Sequence, residues 1–469
     1  MKVGETIKMK HQPKIIGSYA IVGPKEGNGN FGQYFDYVMK NDCFGEDTFE
    51  KAERKMLENA ITGVVEKSHL SLKDINVLVA GDLLNQIISS SYAARMFQFP
   101  FLGVYSACST MAESLAVASV LVDGGYFENV VCCTGSHFST AERQYRFPLE
   151  LGNQRPPTSQ WTITGAGSAV ISLNGEGPKI TSVTFGRVVD WGISDVNNMG
   201  AAMAPAARDT LLNHLKNTKT KPEDYDLIVT GDLGKLGSEI LIDLMEEEGV
   251  TLGVNYGDCG QMYFKKSQKT LCGGSGAGCC ATIFNSYIVE KLKSGQYKKV
   301  LFLPTGALLS TTSTQQGDTI PCVCHAIVVE AWDFAKFWFE TKVITNLILK
   351  RRSNGNFFDL SMGVFDRWFC LYARWTFDNN NQYYFSKNFG DFCPSWGLFG
   401  SDRGFWLYIR FCKSWHKCAN CWVWCIACKG CDWCSEGSRS FGNIYWWIDC
   451  YGRRNSCSNW VCIFVCFDI

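Results

Sequence analysis

The chain has 469 residues, of which 46% are hydrophobic, and its 45 basic and 45 acidic residues give a formal net charge of zero. This balance argues against a broad basic surface for nucleic acid, and no run of about 18 uncharged apolar residues predicts a membrane-spanning helix. The N-terminal sequence MKVGETIKMKHQPK lacks the continuous apolar segment of a secretory signal, so we expect a cytosolic, reducing environment.

The composition of the chain changes sharply near residue 330. Ten of the 23 cysteines lie in residues 1–330, and 13 lie after residue 330. Tryptophan changes in the same way, because only Trp161 and Trp191 precede residue 330 and 13 tryptophans follow it. A single folded domain seldom changes composition so abruptly. The sequence therefore predicts two parts that need separate interpretations.

Strand and helix patterns alternate through residues 15–330. The predicted strands are the short apolar runs Ile75–Ala80, Val130–Thr134, Leu227–Thr230 and Val300–Pro304. The predicted helices are Thr48–Ser68, Met111–Asp123, Ala206–Lys216 and Ala281–Lys293. Such alternation is typical of an α/β fold with mainly parallel sheets that helices cover on both faces.

One pattern occurs twice in this part of the chain. The stretch Asp74–Gln86 reads DINVLVAGDLLNQ and matches Tyr225–Gly237, which reads YDLIVTGDLGKLG. In both copies an apolar strand runs into Gly-Asp-Leu, and a small-residue turn, a helix and another strand follow. Because each copy alone would leave a helix face unburied, we expect two related halves, residues 1–170 and 171–330, packed core to core. Chance similarity between two βα units is the alternative.

Cys108 follows the apolar run Phe99–Tyr105 and precedes a helical pattern. This order predicts that Cys108, with Ser109 and Thr110, lies at a strand-to-helix turn near a helix N-terminus. The free N–H groups and the helix dipole there favour negative charge, either a thiolate or a bound anion. The alternative is a small buried cysteine that fills space beneath a tight turn.

His137, Arg143 and Arg146 follow the predicted strand Val130–Thr134. Ligands collect where the strands of parallel sheets end, and planar guanidinium groups suit carboxylates. His137 and Arg143 are therefore candidate anion-binding residues, with a structural histidine and solvated arginines as the alternative. The cluster Gly273–Gly278 lacks the pattern of a phosphate-binding loop, and it indicates close backbone packing or a second anion-accepting turn.

These features together resemble the thiolase superfamily, in which a nucleophilic cysteine begins the central helix of the first half. Residues 15–330 are also similar to the stage V sporulation protein AD family of spore-forming Firmicutes. The stretches that carry this similarity include VGPKEGNGNFGQYFD, AERKMLENA, VLVAGDLLNQ, ACSTMAES, TAERQYRFP, GRVVDWGISD, MGAAMAPAA, DYDLIVTGDLG, DCGQM and TGALLS. The resemblance implies a duplicated αβαβα fold of five layers for residues 1–330.

The resemblance also implies a function. The family is implicated in the uptake of dipicolinic acid, pyridine-2,6-dicarboxylate, into the developing spore, and is held to bind it directly. Condensing enzymes of the superfamily need a histidine, and an asparagine or second histidine, from the second half. At the corresponding positions this chain has Gly231-Asp232 and the cluster Gly273–Gly278. We therefore expect a non-catalytic binding pocket. An acyltransferase or condensing enzyme that uses Cys108 as its nucleophile is the alternative.

The expected ligand is dipicolinate, a small planar dianion, with or without calcium, and we expect no metal site and no cofactor. The residues expected to bind the ligand are Cys108, Ser109, Thr110, His137, Arg143 and Asp232. The resemblance further implies a homodimer that works with other stage V sporulation membrane proteins. We expect the protein in the cytoplasm or forespore, peripheral to the inner spore membrane.

The segment after residue 330 contains a pattern of cysteines that is typical of zinc sites. Three CxxC pairs, Cys418/Cys421, Cys425/Cys428 and Cys431/Cys434, lie close to His416. The tryptophans around them are scattered without helix or strand periodicity, which fits no small zinc domain.

A change of reading frame explains the composition of this segment better. The tryptophan codon tgg, read one base later, begins gg and encodes glycine, and cysteine codons become valine or alanine codons. With suitable synonymous codons, Asp366–Asn379 then reads IGGFVCMLGGLLI and Ser386–Pro394 reads VKILVTFVL, which is apolar text typical of membrane helices. The shifted text resembles stage V sporulation protein AE. The sequence therefore predicts a frameshift near codon 330 and a tail, residues 331–469, without a native fold.

Overall fold

The computed structural model describes residues 2–145 and 154–332 and, beyond them, five strands between residues 405 and 467. The chain divides into two compact units, Met1–Val343 and Ile344–Ile469. Within the described residues of the first unit, the strands and helices alternate as the sequence predicts.

The strands of the first unit are β1 Lys2–Val3, β2 Thr6–Lys8, β3 Lys14–Val22, β4 Tyr37–Val38, β5 Val77–Gly81, β6 Phe101–Gly103, β7 Asn129–Ser136, β8 Trp161–Thr162, β9 Gly165–Ser172, β10 Lys179–Thr184, β11 Leu227–Thr230, β12 Tyr256–Asp258, β13 Gly274–Ser275, β14 Lys299–Leu303, β15 Thr305–Ala307, β16 Cys322–Cys324 and β17 Ala326–Glu330. The helices are α1 Pro24–Gly27, α2 Phe49–Lys67, α3 Ile88–Phe97, α4 Thr110–Asp123, α5 Phe138–Tyr145, α6 Met199–Thr218, α7 Gly234–Glu247, α8 Cys259–Tyr263, α9 Ala277–Ile283, α10 Val289–Lys293 and α11 Thr311–Gln315. A π-helical turn, Phe284–Ile288, joins α9 to α10 into one helix.

The sheet topology repeats, as the duplicated sequence pattern predicts. In the first half the strand order is β6-β5-β7-β9-β3, and in the second half it is β12-β11-β14-β17-β10. In each half the first three strands of this order are parallel and the last two connections are antiparallel. The two halves meet where Lys14 of β3 pairs with Lys179 of β10. The turn between Ser172 and Lys179 is where one repeat gives way to the next.

The side chains of the strands alternate between a central core and two outer cores. In β5, Val77 and Val79 belong to the central core, which also contains α4 and the α9–α10 helix. Leu78 and Ala80 belong to the outer core under α2 and α3. In the second half, Phe302 of β14 faces the central core, and its neighbours in the strand face the outer core under α6 and α7. Successive residues of a strand point to opposite faces, so this arrangement gives the predicted five layers.

The α9–α10 helix packs directly against the sheet of the first half. A β-carbon on Gly167 of β9 would lie 2.2 Å from the carbonyl oxygen of Ala281, and one on Gly278 would lie 2.4 Å from the carbonyl oxygen of Gly165. The Gly278 N–H donates to the Ser136 hydroxyl at 2.9 Å. Of the two interpretations of the cluster Gly273–Gly278, the structure therefore fits close backbone packing.

The predicted start of helix Ala206–Lys216 is wrong, because α6 begins seven residues earlier, at Met199, and contains Pro205. Proline costs a helix one backbone hydrogen bond, which is why the sequence pattern predicts a helix only after Pro205. Packing accounts for the longer helix. Gly200 fits so closely against α7 that a β-carbon there would lie 2.5 Å from the carbonyl oxygen of Leu233.

The second unit contains β18 Phe405–Trp406, β19 Cys421–Cys428, β20 Arg439–Phe441, β21 Ile444–Tyr451 and β22 Trp460–Phe467. They form an antiparallel sheet in the order β18-β19-β22-β21-β20. The residues after 332 outside these strands, and all side chains after residue 332, lie outside the described part of the chain. The absence of a native fold in residues 331–469 therefore stays a prediction.

None of the helices in the described residues is both long enough and apolar enough to cross a membrane.

The close contact of the central helix with β9 makes Gly167 a sensitive position. We expect Gly167→Ala to lower the free energy of unfolding by roughly 3 kcal/mol, because the added methyl group must displace the backbone of Ala281. Chemical denaturation followed by circular dichroism measures the change. In the control Gly253→Ala the new methyl group meets only the Asn255 side chain, at 3.2 Å, and stability should hardly change. Equal stability of the two variants would contradict this account of the packing.

Candidate functional site

A cavity lies against the turn that carries Cys108, at the N-terminal end of the central helix α4. Its lining residues come from both halves and are largely apolar: Leu83, Tyr105, Ala107, Cys108, Ala141, Tyr145, Thr162, Met199, Ser275, Gly276, Ala307 and Leu309. The centre of a water molecule can reach about 40 Å³ of it, and about 440 Å³ of empty space lies between the walls when the open mouth is included. The enclosed part has room for a few waters, and a small ligand would extend into the mouth.

The Cys108 turn has the strand-to-helix form that the sequence predicts. A 3₁₀ turn, Ala107–Ser109, connects the chain after β6 to α4. Ala107 has a φ of 50°, which a residue with a side chain seldom adopts. The Thr110 hydroxyl donates to the carbonyl of Ala107 at 2.6 Å and accepts from the N–H of Ser106 at 3.2 Å. These bonds hold the turn in its strained form, with Cys108 buried against the cavity.

Ser109 joins the Cys108 turn to the second half of the molecule. Its hydroxyl donates to the carbonyl of Pro304 at 2.7 Å and accepts from the N–H of His325 at 3.3 Å. Beside it, a β-carbon on Gly306 would lie 1.9 Å from the carbonyl oxygen of Ser106. The hydroxyls of Ser109 and Thr110 are thus used inside the protein, and neither residue lines the cavity.

The aspartates of the two Gly-Asp motifs, Asp82 and Asp232, have different surroundings. In the first half, the Asp82 carboxylate accepts from the N–H groups of Leu84 and Ser90 at 2.9 and 2.7 Å. In the second half, Asp258 accepts the equivalent loop bonds, from the N–H groups of Leu233 and Gly234 at 3.0 and 2.9 Å. The two copies of the motif therefore share their sequence, but in the second half the carboxylate that binds the loop comes from Asp258 of the neighbouring strand β12.

Asp232 is left as a buried carboxyl group without an oxygen or nitrogen partner. Both of its carboxyl oxygens lack such a hydrogen bond, and the side chain is fully buried. Burial, together with the nearby Asp258 carboxylate, raises its pKa well above the usual value, so the fold favours the neutral form of Asp232. Its backbone carbonyl accepts from the Gln160 side-chain amide at 2.5 Å. Asp232 lies behind the cavity wall and does not line the cavity.

His137 has a complete set of partners within the first half. The N–H of Ser139 donates to its Nδ1 at 3.1 Å, so the ring proton is on Nε2, which donates to the carbonyl of Asp42 at 2.8 Å. Its ring lies 5.3 Å from that of Phe49, and burial lowers its pKa. His137 therefore lies directly before helix α5, where these contacts hold it, and it does not line the cavity.

Arg143 also points away from the cavity. Its guanidinium donates to the Glu50 carboxylate at 3.1 Å, and both side chains are nearly half exposed. Arg155 lies nearer to the cavity: it is 3.9 Å from Glu142, which accepts from the hydroxyl of the lining residue Thr162 at 3.4 Å. Arg146 lies outside the described residues. Of the six predicted ligand residues, the structure therefore brings only Cys108 to the cavity wall.

Two tyrosines at the cavity, Tyr105 and Tyr145, did not stand out in the sequence. Tyr145 donates to the carbonyl of Leu83, so Tyr105 must donate to the Tyr145 hydroxyl, 3.2 Å away. The lone pairs of Tyr105 remain as acceptors at the mouth. Tyr105 lies three residues before Cys108, and Tyr145 lies one helical turn after Ala141. Only their position next to the predicted site could have singled them out.

Comparisons with known proteins identify the family of this chain. The sequence model of the stage V sporulation protein AD family matches residues 4–330. The chain belongs to this family. Stage V sporulation protein AD of Bacillus subtilis (strain 168) is 42% identical to it over 326 residues, which are 70% of this chain and 96% of that protein.

Two solved structures illustrate the wider similarity. The 3-oxoacyl-[acyl-carrier-protein] synthase III of Aquifex aeolicus VF5 is 13% identical, with a TM-score of 0.42, and the match covers 68% of this chain and 99% of that chain. Cerulenin-bound OleA of Xanthomonas campestris is 13% identical, with a TM-score of 0.47, and the match covers 70% of this chain and 99% of that chain.

Among the described residues, no three His, Cys, Asp or Glu side chains are grouped so that they could hold a metal ion. None of the ten cysteines of residues 1–330, all of which the structure describes, forms a disulfide bond. The CxxC pairs and His416 have side chains outside the described part of the chain, so their assignment as accidental stays a prediction.

The raised pKa of Asp232 predicts a specific dependence of stability on pH. Because its folded-state pKa is raised, its neutral form stabilises the fold fully below the unfolded pKa of about 4, and this contribution is lost as the pH rises. Asp232→Asn cannot ionise. We expect its free energy of unfolding to exceed that of the parent chain by a margin that grows above about pH 4, by at most about 1.4 kcal/mol per pH unit.

Denaturant titrations at a series of pH values measure this margin. Asp258→Asn is the control, because Asp258 accepts several hydrogen bonds and its loss should destabilise the protein. A margin for Asp232→Asn that does not change with pH would show that Asp232 is not held neutral.

Proposed function

We propose that this chain is a sporulation protein that binds dipicolinate in the cavity beside Cys108 and supports its uptake into the developing spore. Membership of the stage V sporulation protein AD family supports the role in sporulation. The observation that carries the site is the cavity itself, because it lies at the strained Cys108 turn where α4 begins. The N–H groups of such a turn favour a bound anion.

The walls of the cavity suit one face of a small aromatic ring. The cavity is open because three of its lining residues are small, namely Ala107, Ala141 and Ala307. Leu83 and Leu309 add apolar surface to its walls. The polar groups in the wall are few: the Thr162 and Ser275 hydroxyls, the Cys108 thiol and the two phenols. Small-molecule sites commonly combine apolar walls with a few placed polar groups.

The cavity lining contains no charged side chain within the described residues. A doubly charged ligand would lose hydration there without a fixed counter-charge, which is costly. A one-to-one chelate of calcium with dipicolinate carries no net charge, so the walls favour the chelate over the free dianion. We therefore propose that calcium accompanies the ligand.

The alternative, acyl transfer on Cys108, needs a base beside the thiol. No histidine lines the cavity among the described residues. Burial lowers the pKa of His214 and of His325 to about 4. His214 is bonded to Thr184 and Tyr225, and His325 accepts from the N–H of Gly186. These contacts favour binding over catalysis.

We also propose that the protein acts as a homodimer at the periphery of the inner spore membrane, in the cytoplasm or forespore, with other stage V sporulation membrane proteins. Family membership is the support for this assignment. We propose no nucleic-acid partner for the protein.

We propose, finally, that the tail is the out-of-frame product of a frameshift near codon 330. The family match ends at residue 330, and 326 residues of this chain are enough to cover 96% of the Bacillus subtilis relative. The end of the family match coincides with the change in cysteine and tryptophan content.

Filling the cavity should abolish binding. We expect Ala141→Leu, and separately Ala307→Val, to weaken the binding of calcium dipicolinate at least tenfold, because the new methyl groups occupy the space beside Cys108. Isothermal titration of the full chain with free dipicolinate and with its calcium chelate measures the affinities. The chelate should bind more tightly.

Arg143→Ala is the matched control on the same helix, and it should bind like the parent chain because the guanidinium contacts Glu50. Unchanged binding in both cavity variants would refute the assigned site. Mass spectrometry after incubation with acyl-CoA tests the alternative, since an acyl group on Cys108 would favour the condensing enzyme.

The origin of the tail is tested at the level of the gene. Sequencing across codons 320–360 should reveal an inserted or deleted base that, once corrected, restores a stop and a separate downstream frame encoding apolar segments. A downstream frame that no single-base change can join to the present one would overturn the frameshift.

A further inference from the structure

The loop between α8 and β13 is strongly basic. We call residues 264–272, FKKSQKTLC, the basic loop. Lys265, Lys266 and Lys269 are all exposed in it, and within the described residues none of them has an ion-pair partner. No Asp or Glu occurs between residues 259 and 289. The positive charge of this surface is therefore not neutralised locally.

Hydrogen bonds hold the basic loop in a defined shape. The Gln268 side chain accepts from the N–H of Lys265 at 2.9 Å and donates to the carbonyl of Lys25 at 2.7 Å. The Asn30 amide donates to the carbonyls of Met262 and Phe264 at 2.8 and 3.2 Å. These bonds place Lys25 beside the loop, where its ammonium group lies 3.4 Å from the centre of the Trp161 ring.

Leu271 is an unusual residue at this position. Its side chain is 49% exposed, and its φ of 59° is a left-handed conformation that glycine or asparagine adopts at less cost. Neither burial nor backbone preference selects leucine here. A residue that is both exposed and strained points to a role outside the folded core.

We propose that the basic loop docks this protein on an anionic lipid bilayer, with Leu271 entering the boundary between headgroups and acyl chains. Lysines near a charged bilayer each strengthen binding, and an apolar side chain adds to that attraction by burial. An acidic protein surface would use the lysines but leaves the exposed, strained leucine unexplained. This inference does not depend on dipicolinate binding.

The docking would orient the cavity. The basic loop runs directly into β13, and Ser275 of β13 lines the cavity. β13 pairs with β8, which carries Thr162 of the same wall. A bilayer that holds the basic loop therefore lies on the Thr162 and Ser275 side of the cavity.

Vesicle sedimentation with the full chain tests the proposal. The parent chain should bind vesicles of phosphatidylcholine with phosphatidylglycerol and should bind pure phosphatidylcholine much less. The triple variant Lys265→Gln, Lys266→Gln and Lys269→Gln should bind the anionic vesicles on the order of 100-fold more weakly, from roughly fivefold per lysine. Raising the salt from about 0.1 M to about 0.5 M should weaken parent binding, because screening shortens the attraction.

The matched control is Lys216→Gln, Lys219→Gln and Lys221→Gln. Lys216 lies in the last turn of α6, and Lys219 and Lys221 lie between α6 and β11, at the end where the parallel strands begin; all three are exposed. The control should bind like the parent chain. Leu271→Asn, which relieves the strain, should weaken vesicle binding without lowering stability, whereas Leu72→Asn, at a residue that is 46% exposed, should not.

Equal vesicle binding by the parent and the basic-loop variant would overturn the proposal, and so would equal binding to charged and uncharged vesicles. Absence of vesicle binding by the parent chain would also overturn it and would favour an acidic protein partner. Calcium dipicolinate titrations on the same variants should be unchanged, so a failure here is distinct from a failure of the proposed ligand site.

Discussion

The structure of the first unit depends on the direct backbone contact between its two halves. The Ser109 hydroxyl bridges a carbonyl and an N–H group of the second half, and Gly306 lies against the carbonyl of Ser106. A β-carbon on Gly306 would lie 1.9 Å from that oxygen and would push the halves apart, and the cavity walls come from both sides. The shape of the cavity is therefore fixed by the same contacts that close the core. Because protein interiors are densely packed, the Cys108 turn cannot move without the strands of the second half.

The aspartates of the duplicated Gly-Asp motif make different contacts in the two halves. Both repeats end a strand in Gly-Asp, yet Asp82 binds its own loop, whereas Asp258 binds the loop after Asp232. The carboxyl oxygens of Asp232 then have no oxygen or nitrogen partner, and burial raises the pKa of this group well above its usual value. Such a carboxyl group costs stability when it ionises. The Cys279 thiol, which donates to the carbonyl of Gly231 at 3.4 Å, lowers the pKa of Asp232 by less than burial raises it.

Much of the fold follows from the sequence because it rests on local patterns. The predicted strands at residues 75–80, 130–134, 227–230 and 300–304 all exist, since buried parallel strands need continuous apolar runs. The first turns of α6 do not follow from the pattern, because their stability comes from the fit of Gly200 against α7. Site residues were harder to predict. Nothing in the sequence tells whether Arg143 turns toward the cavity or toward Glu50, because a side chain's direction depends on partners that are distant along the chain.

The distribution of charge connects the cavity to its surroundings. Among the described residues the lining of the cavity is uncharged, whereas the loop that leads into its wall carries three exposed lysines without ion-pair partners. The basic loop favours a nearby anionic bilayer, whereas uncharged walls suit the proposed neutral chelate and do not hold it by charge. A protein that passes a ligand to a membrane needs both properties, since a position beside the bilayer and release of the ligand are separate demands. Arginines in the wall would strengthen binding through paired hydrogen bonds and would slow release. The outward orientation of Arg143 is therefore consistent with transfer of the ligand, for which strong retention is a disadvantage.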